Sequence, residues 1–234
     1  MTKLKLGLKW AIILEQDEPF NSNIADVFVL DLFETPASLV KSLKDQGKIV
    51  IAYFSAGSYE PWRPDARLYP KKAIGKKMRG WDEYWVNLNI FCLAPGEIDR
   101  HRMYLAHIKG FDGVDFDNVD LYQQDSGFNI SREDSCHALK MLSFYAHEYD
   151  LLCGLKNCSE LVPKLVDLFD FSINEQASEY KEQYAYSAFT KLGKPVIEIE
   201  YKKPTKPTID IAKQLKYELL YYPSENLNAK FTRY

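Results

Sequence analysis

The stretch Gly110-Phe-Asp-Gly-Val-Asp-Phe-Asp-Asn-Val-Asp120 places carboxylates at 112, 115, 117 and 120 around the apolar residues Phe111, Val114, Phe116 and Val119. Side chains alternate along a strand, so Asp115 and Asp117 share one face if Gly113–Asp117 is extended. A carboxylate buried on a strand must be hydrogen-bonded, paired or put to use. Two on one face mark a site for proton transfer, for a cation, or for a cationic or polyhydroxylated ligand. A second acidic strand end, Phe169-Asp-Phe-Ser-Ile-Asn-Glu175, narrows that choice.

Seven further short apolar runs share the character of the first. The expected strands are Trp10–Leu14, Val27–Leu30, Ile49–Phe54, Gly113–Asp117, Leu151–Leu155, Phe169–Ile173, Pro195–Ile199 and Leu219–Tyr222. Near-continuous apolar runs are what parallel strands covered on both faces require. Helix signals fill most gaps. Thr35-Pro36 opens one that Gly47 closes, Ile98–Lys109 forms another, and Ser131 caps a long one through Glu148. Ser159–Leu168, Ser178–Leu192 and Thr208–Lys216 complete the set, and Glu15–Asp26 carries no clear helix. Eight strands alternating with helical connections define an α/β fold, a (β/α)8 TIM barrel, expected as a single domain over residues 1–234. A doubly wound open sheet is the alternative, but the glycine-rich phosphate loop that usually marks it is missing.

Bulk properties exclude other classes. The 234 residues are 46% hydrophobic with a net charge of −3, enough for one sizeable core and without a basic footprint for nucleic acid. The run Lys71–Lys77 reads as a solvated loop. No stretch approaches the ~20 apolar residues of a membrane span, and the N-terminus shows no apolar signal-peptide core. Cys92, Cys136, Cys153 and Cys158 contain no CxxC pair and do not form a disulfide framework. Cys153 reads as a buried thiol, with a bridge to Cys158 as the one open pairing, and the four histidines do not stand at zinc-ligand spacing from the cysteines. The long stretch Ser55–Glu97 reads as a substrate-side excursion, since long ordered loops are usually functional.

In a barrel of this kind the strand C-termini build the active-site face. Those positions supply Asp31, Ser55, Gly57, Tyr59, Glu60, Asp115, Asp117, Asn118, Lys156, Asn157, Asn174, Glu175, Glu198, Glu200 and Tyr201. The set is rich in carboxylates, amides and aromatics, and holds no nucleophile elbow. That composition suits glycoside chemistry, in which one carboxyl protonates the leaving oxygen while another attacks or activates water. Each acid also has a plain structural reading: Asp117 as a turn cap, Glu175 as an N-cap neighbour, Asp112 as turn chemistry. Asp120 reads as surface or ligand-binding, and Lys156 as a counter-ion for the acids.

On these residues the chain resembles glycoside hydrolase family 114, the endo-α-1,4-polygalactosaminidases. The matching stretches are Asp31-Leu-Phe-Glu-Thr, Tyr53-Phe-Ser-Ala-Gly-Ser-Tyr-Glu-Pro-Trp-Arg-Pro-Asp65, Gly110-Phe-Asp-Gly-Val, Asp117-Asn-Val-Asp-Leu-Tyr122, Gly154-Leu-Lys-Asn157, Phe169-Asp-Phe171, Asn174-Glu-Gln176 and Gly193-Lys-Pro-Val196 to Glu200-Tyr201. The resemblance implies a (β/α)8 barrel that cleaves an α-1,4-linked galactosamine and N-acetylgalactosamine polymer from within, with retention. It places the catalytic pair on Asp117, as nucleophile, and Glu175, as general acid/base. Asp31, Tyr53, Ser55, Tyr59, Asp115, Lys156, Asn157, Glu200 and Tyr201 would line the sugar cleft, while Arg63 and Asp65 hold the loop in shape. It implies no cofactor and no metal, a polysaccharide or oligosaccharide partner, no nucleic acid, no membrane and a monomer. Family members are mostly secreted, although no signal segment is visible here.

The chain departs from the family pattern at several points. Asp115-Phe116 stands where Glu-Pro is common, and Trp85-Val-Asn87 carries an amide where an acid is usual. Ala177 and Gln183 replace cysteines of fungal members, and the first strand lacks a polar residue after Trp10. These departures bear on substrate identity and keep a non-catalytic carbohydrate-binding barrel as the alternative. A divalent-cation site at Asp115, Asp117 and Asp120 is the third reading.

Overall fold

A computed structural model of the chain describes residues 4–15, 20–87 and 95–234. The strands are β1 (Trp10–Ile13), β2 (Val27–Asp31), β3 (Ile49–Ser55), β4 (Ser58–Tyr59), β5 (Ile74–Lys77), β6 (Tyr84–Val86), β7 (Gly113–Asp117), β8 (Leu152–Lys156), β9 (Phe171–Glu175), β10 (Val196–Glu200), β11 (Glu218–Tyr221) and β12 (Thr232–Arg233). The α-helices are α1 (Ala37–Asp45), α2 (Pro95–Lys109), α3 (Arg132–Glu148), α4 (Val162–Leu165), α5 (Ser187–Lys191) and α6 (Lys206–Leu215).

The main sheet runs β1-β2-β3-β7-β8-β9-β10-β11-β12, parallel throughout except for β12, which is antiparallel to β11. All eight expected strands are present. The sheet is α/β and curls as in the TIM-barrel class. Among the described residues, however, no ladder joins β1 to the far edge, so the expected closed barrel is an open, curled sheet. The cause lies at the seam: β12 occupies the free edge of β11, pairing Leu220 with Arg233 and Tyr221 with Thr232. Side chains then bridge to β1. The Tyr222 hydroxyl accepts from the Ile12 N–H at 3.0 Å and donates to the Ile12 carbonyl at 2.9 Å. Arg233 donates to the Trp10 carbonyl at 2.8 Å.

Alternation along the strands sorts two cores. Trp10, Ile12, Val27, Val29, Ile51, Leu152, Phe171, Ile173, Ile197 and Ile199 fill the concave side. The opposite parity, including Phe28, Leu30, Phe54, Val114, Phe116, Cys153 and Leu155, packs under the helices with Leu139 and Leu142 of α3. Gly113 and Gly154 stand on the concave side, where a Cβ on Gly154 would lie 2.3 Å from the Phe171 ring. Small residues there make room for a large one, as barrel interiors require.

Several boundaries differ from expectation for local reasons. β9 runs two residues later than its apolar core, because Asn174 and Glu175 still pair with Glu198 and Ile199 of β10. Glu175 therefore ends a strand rather than following one. The helix expected over 178–192 is a 3-10 turn at Gln183–Tyr186 followed by α5. Lys181 is left-handed (φ 62°), and Gln183 turns inward to Glu198. Ser159–Leu168 likewise reduces to a 3-10 turn and α4. Pro36, not Thr35, is the N-cap of α1. Ser131 caps α3 as expected, in a reciprocal capping box with Asp134. α6 starts two residues before Thr208, because Thr205 accepts from the Thr208 N–H.

The excursion after β3 folds into a three-stranded antiparallel sheet, β4-β6-β5. Lys71–Lys77 is thus a 3-10 turn and a strand rather than a solvated loop. Cys136, Cys153 and Cys158 are buried free thiols, so no Cys153–Cys158 bridge forms; Cys92 lies outside the described residues. No helix among the described residues is long and apolar enough to cross a membrane.

Candidate active site

The C-terminal ends of β3, β7, β8, β9 and β10 surround an open cleft of about 880 Å³, within the size range of ligand pockets. Asp117 and Glu175 are the last residues of β7 and β9. Between them β8 ends in Lys156, whose side chain points inward because Leu152 and Gly154 share its parity. The buried ammonium lies 3.8 Å from Asp117 Oδ1, 3.5 Å from Glu175 Oε2 and 3.7 Å from Asp115 Oδ2. One ammonium thus faces three carboxylates, and these acids hold Lys156 protonated against the cost of its burial. Asp117 Oδ1 and Glu175 Oε2 can be no further apart than those first two distances together. That bound includes the roughly 5–5.5 Å spacing of retaining glycosidases and only the lower end of the roughly 6.5–9.5 Å inverting range.

Each catalytic candidate is held by neighbouring side chains. Tyr53 donates to Asp117 Oδ2 at 2.6 Å. Asn157 donates to Glu175 Oε2 at 2.8 Å and accepts from the Glu175 N–H at 2.8 Å. The Tyr201 hydroxyl donates to Glu175 Oε1. The residues that follow the three inward strand ends, Asn118, Asn157 and Gln176, are all left-handed, with φ of 60°, 51° and 56°. Asparagine tolerates that conformation better than most residues. The turn after β7 is also pressed against Gly57, where a Cβ would lie 1.6 Å from the Asn118 carbonyl oxygen. Only glycine permits that approach.

Of the residues expected at the cleft, Asp117, Glu175, Tyr53, Lys156, Asn157 and Tyr201 line it together. Asp31, Ser55, Tyr59, Asp115 and Glu200 do not. Asp31 receives both terminal nitrogens of Arg63, at 3.0 and 2.6 Å, and accepts from the N–H groups of Phe33 and Glu34. Ser55 is buried against Ser58 and Asn118. Tyr59 packs edge-on against Tyr69 and Tyr84. Asp115 lies fully buried beneath Lys156, and burial pushes its carboxyl up to about 6. Glu200 faces the helices, since its neighbour Tyr201 takes the inward direction, and it accepts from the Ser178 N–H at 2.9 Å. Arg63 also binds Glu60, while Arg102 of α2 binds Asp65 and the Ser55 carbonyl, so these arginines anchor the excursion to the sheet.

The cleft also contains residues that strand-end reasoning did not select. Trp81, Glu83 and Trp85 come from the excursion, and Tyr180 follows β9. Trp81 and Tyr180 are exposed aromatic residues on the cleft wall. Glu83 accepts from Ser58 at 2.5 Å, and burial raises its carboxyl above the ordinary range. Asp120 lies on the wall near Asp117, pushed up to about 6 by burial. The clustering of aromatics in Trp81-Asp-Glu-Tyr-Trp85 was the available signal.

Two carboxylates at strand ends on either side of β8, facing an open cleft with aromatic residues on its wall, form the arrangement with which glycoside hydrolases work. A model of the glycoside-hydrolase family GH114 matches residues 1–228, and the chain belongs to that family of glycosidases. Its structure is similar to the crystal structure of Ega3 from Aspergillus fumigatus, a complex with galactosamine, with a TM-score of 0.92 and 32% identity over 100% of this chain and 97% of that one. The glycoside hydrolase domain of PelA from Pseudomonas aeruginosa shares the fold, with a TM-score of 0.70 and 17% identity over 97% of this chain and 98% of the other. Comparison with curated proteins gave no match.

Proposed function

We propose that the chain is an endo-acting, retaining hydrolase of an α-1,4-linked galactosamine polymer, partly N-acetylated, working as a single-domain monomer without a cofactor. In this reading the curled sheet serves as a (β/α)8 barrel whose seam is sealed by side chains. The observation that carries it is the placement of Asp117 and Glu175 about one buried ammonium at the floor of an open cleft. The galactosamine bound to Ega3 supports the choice of sugar. A wall rich in acids beyond the catalytic pair, including Glu83 and Asp120, suits a polymer with free amino groups.

Tyr53 occupies Asp117 Oδ2, which leaves Oδ1 as the attacking atom. Glu175 gives a proton to the departing glycosidic oxygen as the covalent glycosyl–Asp117 ester forms. It then takes a proton from the water that opens the ester. Lys156 balances charge beneath both acids. Asn157 and Tyr201 fix the direction of Glu175, which has to face the leaving group in one step and water in the next.

The test uses de-N-acetylated α-1,4-galactosamine oligomers. The wild type should release shorter oligomers whose first-formed anomer is α. Asp117→Asn and Glu175→Gln should each lower turnover roughly 10³-fold while the oligomer still binds. Full turnover in either variant would overturn the assignment. Oligomer binding without turnover in the wild type would leave a carbohydrate-binding barrel instead.

A further inference from the structure

We propose that His147, Cys153 and Asp170 form a second site, remote from the cleft, that binds a thiophilic divalent cation, with zinc the best fit. The three residues converge at the N-terminal end of the sheet. His147 lies in the last turn of α3, Cys153 is the second residue of β8, and Asp170 immediately precedes β9. Lys156 and Glu175, at the opposite ends of those strands, belong to the cleft.

Two of the three donor-atom separations already match the spacing a tetrahedral ion needs. His147 Nε2 lies 3.0 Å from Asp170 Oδ2 and 3.6 Å from Cys153 Sγ. The three atoms all fall within 4.8 Å of one another. Zinc bonds of about 2.3 Å to sulfur and about 2.0–2.1 Å to nitrogen and oxygen, at tetrahedral angles, separate S from N by about 3.5 Å and N from O by about 3.3 Å. The N–O and N–S distances therefore need shifts of only a few tenths of an ångström, and the S–O edge, which lies within 4.8 Å, must close to about 3.5 Å. The ligands are also preorganised, because Asp170 Oδ2 accepts from the Cys153 N–H at 2.9 Å. The strand residue that offers the sulfur thus also aims the carboxylate.

The chemistry of the set selects the ion. A thiolate, an imidazole and a carboxylate together favour zinc over the hard cations magnesium and calcium. On binding, the Cys153 thiol releases its proton to solvent, and His147 offers the Nε2 lone pair to the ion with its ring proton on Nδ1. A dication, a thiolate and a carboxylate then sum to zero charge in a partly buried place. His147 and Asp170 are partly exposed, at 37% and 28% of their side chains, which gives the ion an entry and a water the fourth position. A hydrolytic Cys–His–Asp relay does not fit, because a relay sets acid and nucleophile on opposite imidazole nitrogens, whereas here both approach Nε2. The ion would tie α3 to the N-terminal ends of β8 and β9 and stabilise the fold without touching the cleft.

The test is titration of the metal-free protein with Co²⁺, followed by Zn²⁺ competition. One Co²⁺ per chain should bind with a thiolate-to-metal charge-transfer band and the intense visible bands of tetrahedral cobalt. Zn²⁺ should abolish both and raise the Tm by several degrees. Cys153→Ser should remove the charge-transfer band. His147→Gln, at a partly exposed position that leaves the core intact, should weaken Zn²⁺ at least tenfold while hydrolysis is unchanged. A cobalt spectrum without thiolate charge transfer, or equal Zn²⁺ affinity and Tm response in wild type and His147→Gln, would overturn the site.

Discussion

Asn157 grips Glu175 at two points, donating to Oε2 and accepting from the main-chain N–H, each at 2.8 Å. It does so from a left-handed backbone position, φ 51°, directly after the strand that delivers Lys156. One residue therefore fixes both where β9 ends and where its carboxylate points. Asn157→Gly and Asn157→Ala both remove the grip, and each should lower kcat by roughly 10–100-fold with a smaller effect on KM. Only alanine also meets the left-handed penalty, about 1–2 kcal/mol. Parallel steady-state kinetics and urea melts would separate the two effects. Equal kcat in the wild type and the glycine variant would show that the grip does not position the acid.

Among the described residues, Lys156 is the one cation paired with these three carboxylates, and it is itself buried. Lys156→Met leaves those acids facing one another, a loss on the order of 3–5 kcal/mol when a buried partner is removed. The sign of its pH dependence follows from Asp115, whose carboxyl burial already raises to about 6. Removing the ammonium raises it further. A group raised in the folded state contributes stability that is present at low pH and lost as pH rises through its folded value. The variant should therefore be closest to wild type in Tm near pH 5 and fall furthest behind near pH 8. A constant gap across that range would contradict the charge argument.

The strands that carry the site were legible because apolar runs and alternation are local properties. β7 has the expected limits, and β8 and β10 lie within one residue of theirs. The part that was not legible depends on distant partners. Asp31 looks like any other acid at a strand end, and only Arg63, reaching back across the excursion, turns it into an anchor for that segment. Trp81 and Glu83 reach the cleft through antiparallel pairing of β4, β5 and β6, which strand-end reasoning does not cover. Glu200 is different: the parity that turns Tyr201 inward is enough to turn Glu200 outward.

Glu198 shows how a buried acid writes itself into the stability curve. It faces the helices from β10, receives the Gln183 amide at 2.7 and 3.1 Å, and hydrogen-bonds Glu200. Burial first, then the charge of Glu200, pushes its carboxyl from 4.5 to about 8. Its contribution is fully present below about pH 4.5 and is lost as pH rises through 8. Glu60, raised to about 7 mainly by burial, acts with the same sign. The wild-type Tm should therefore fall between pH 5 and pH 8. Glu198→Gln keeps a donor for Glu200 and an acceptor for Gln183, so it should flatten that slope and raise the Tm at pH 8. Differential scanning calorimetry at the two pH values decides it; an unchanged slope would remove Glu198 from the account.

Gly154 and Phe171 fill the sheet interior two residues below Lys156, and their packing sets the height of the catalytic floor. A Cβ on Gly154 would meet three ring atoms of Phe171, at 2.3, 2.6 and 3.0 Å. The ring cannot retreat easily, because Trp10 lies against it with centroids 5.1 Å apart. Gly154→Ala should cost about 1–3 kcal/mol, the usual range for overpacking. Because Gly154 lies two residues before Lys156 on the same strand, any shift of β8 moves the catalytic floor, and turnover should fall as well. Phe171→Leu alone should destabilise by leaving a void. Joined to Gly154→Ala, it should recover stability beyond the sum of the single effects, by an interaction of 0.5 kcal/mol or more, roughly the range found for residues in contact. A double-mutant cycle from chemical denaturation measures that coupling. Additive effects would mean that the strand accommodates the methyl group by moving its backbone, and turnover in Gly154→Ala should then stay low even when Phe171 is cut back.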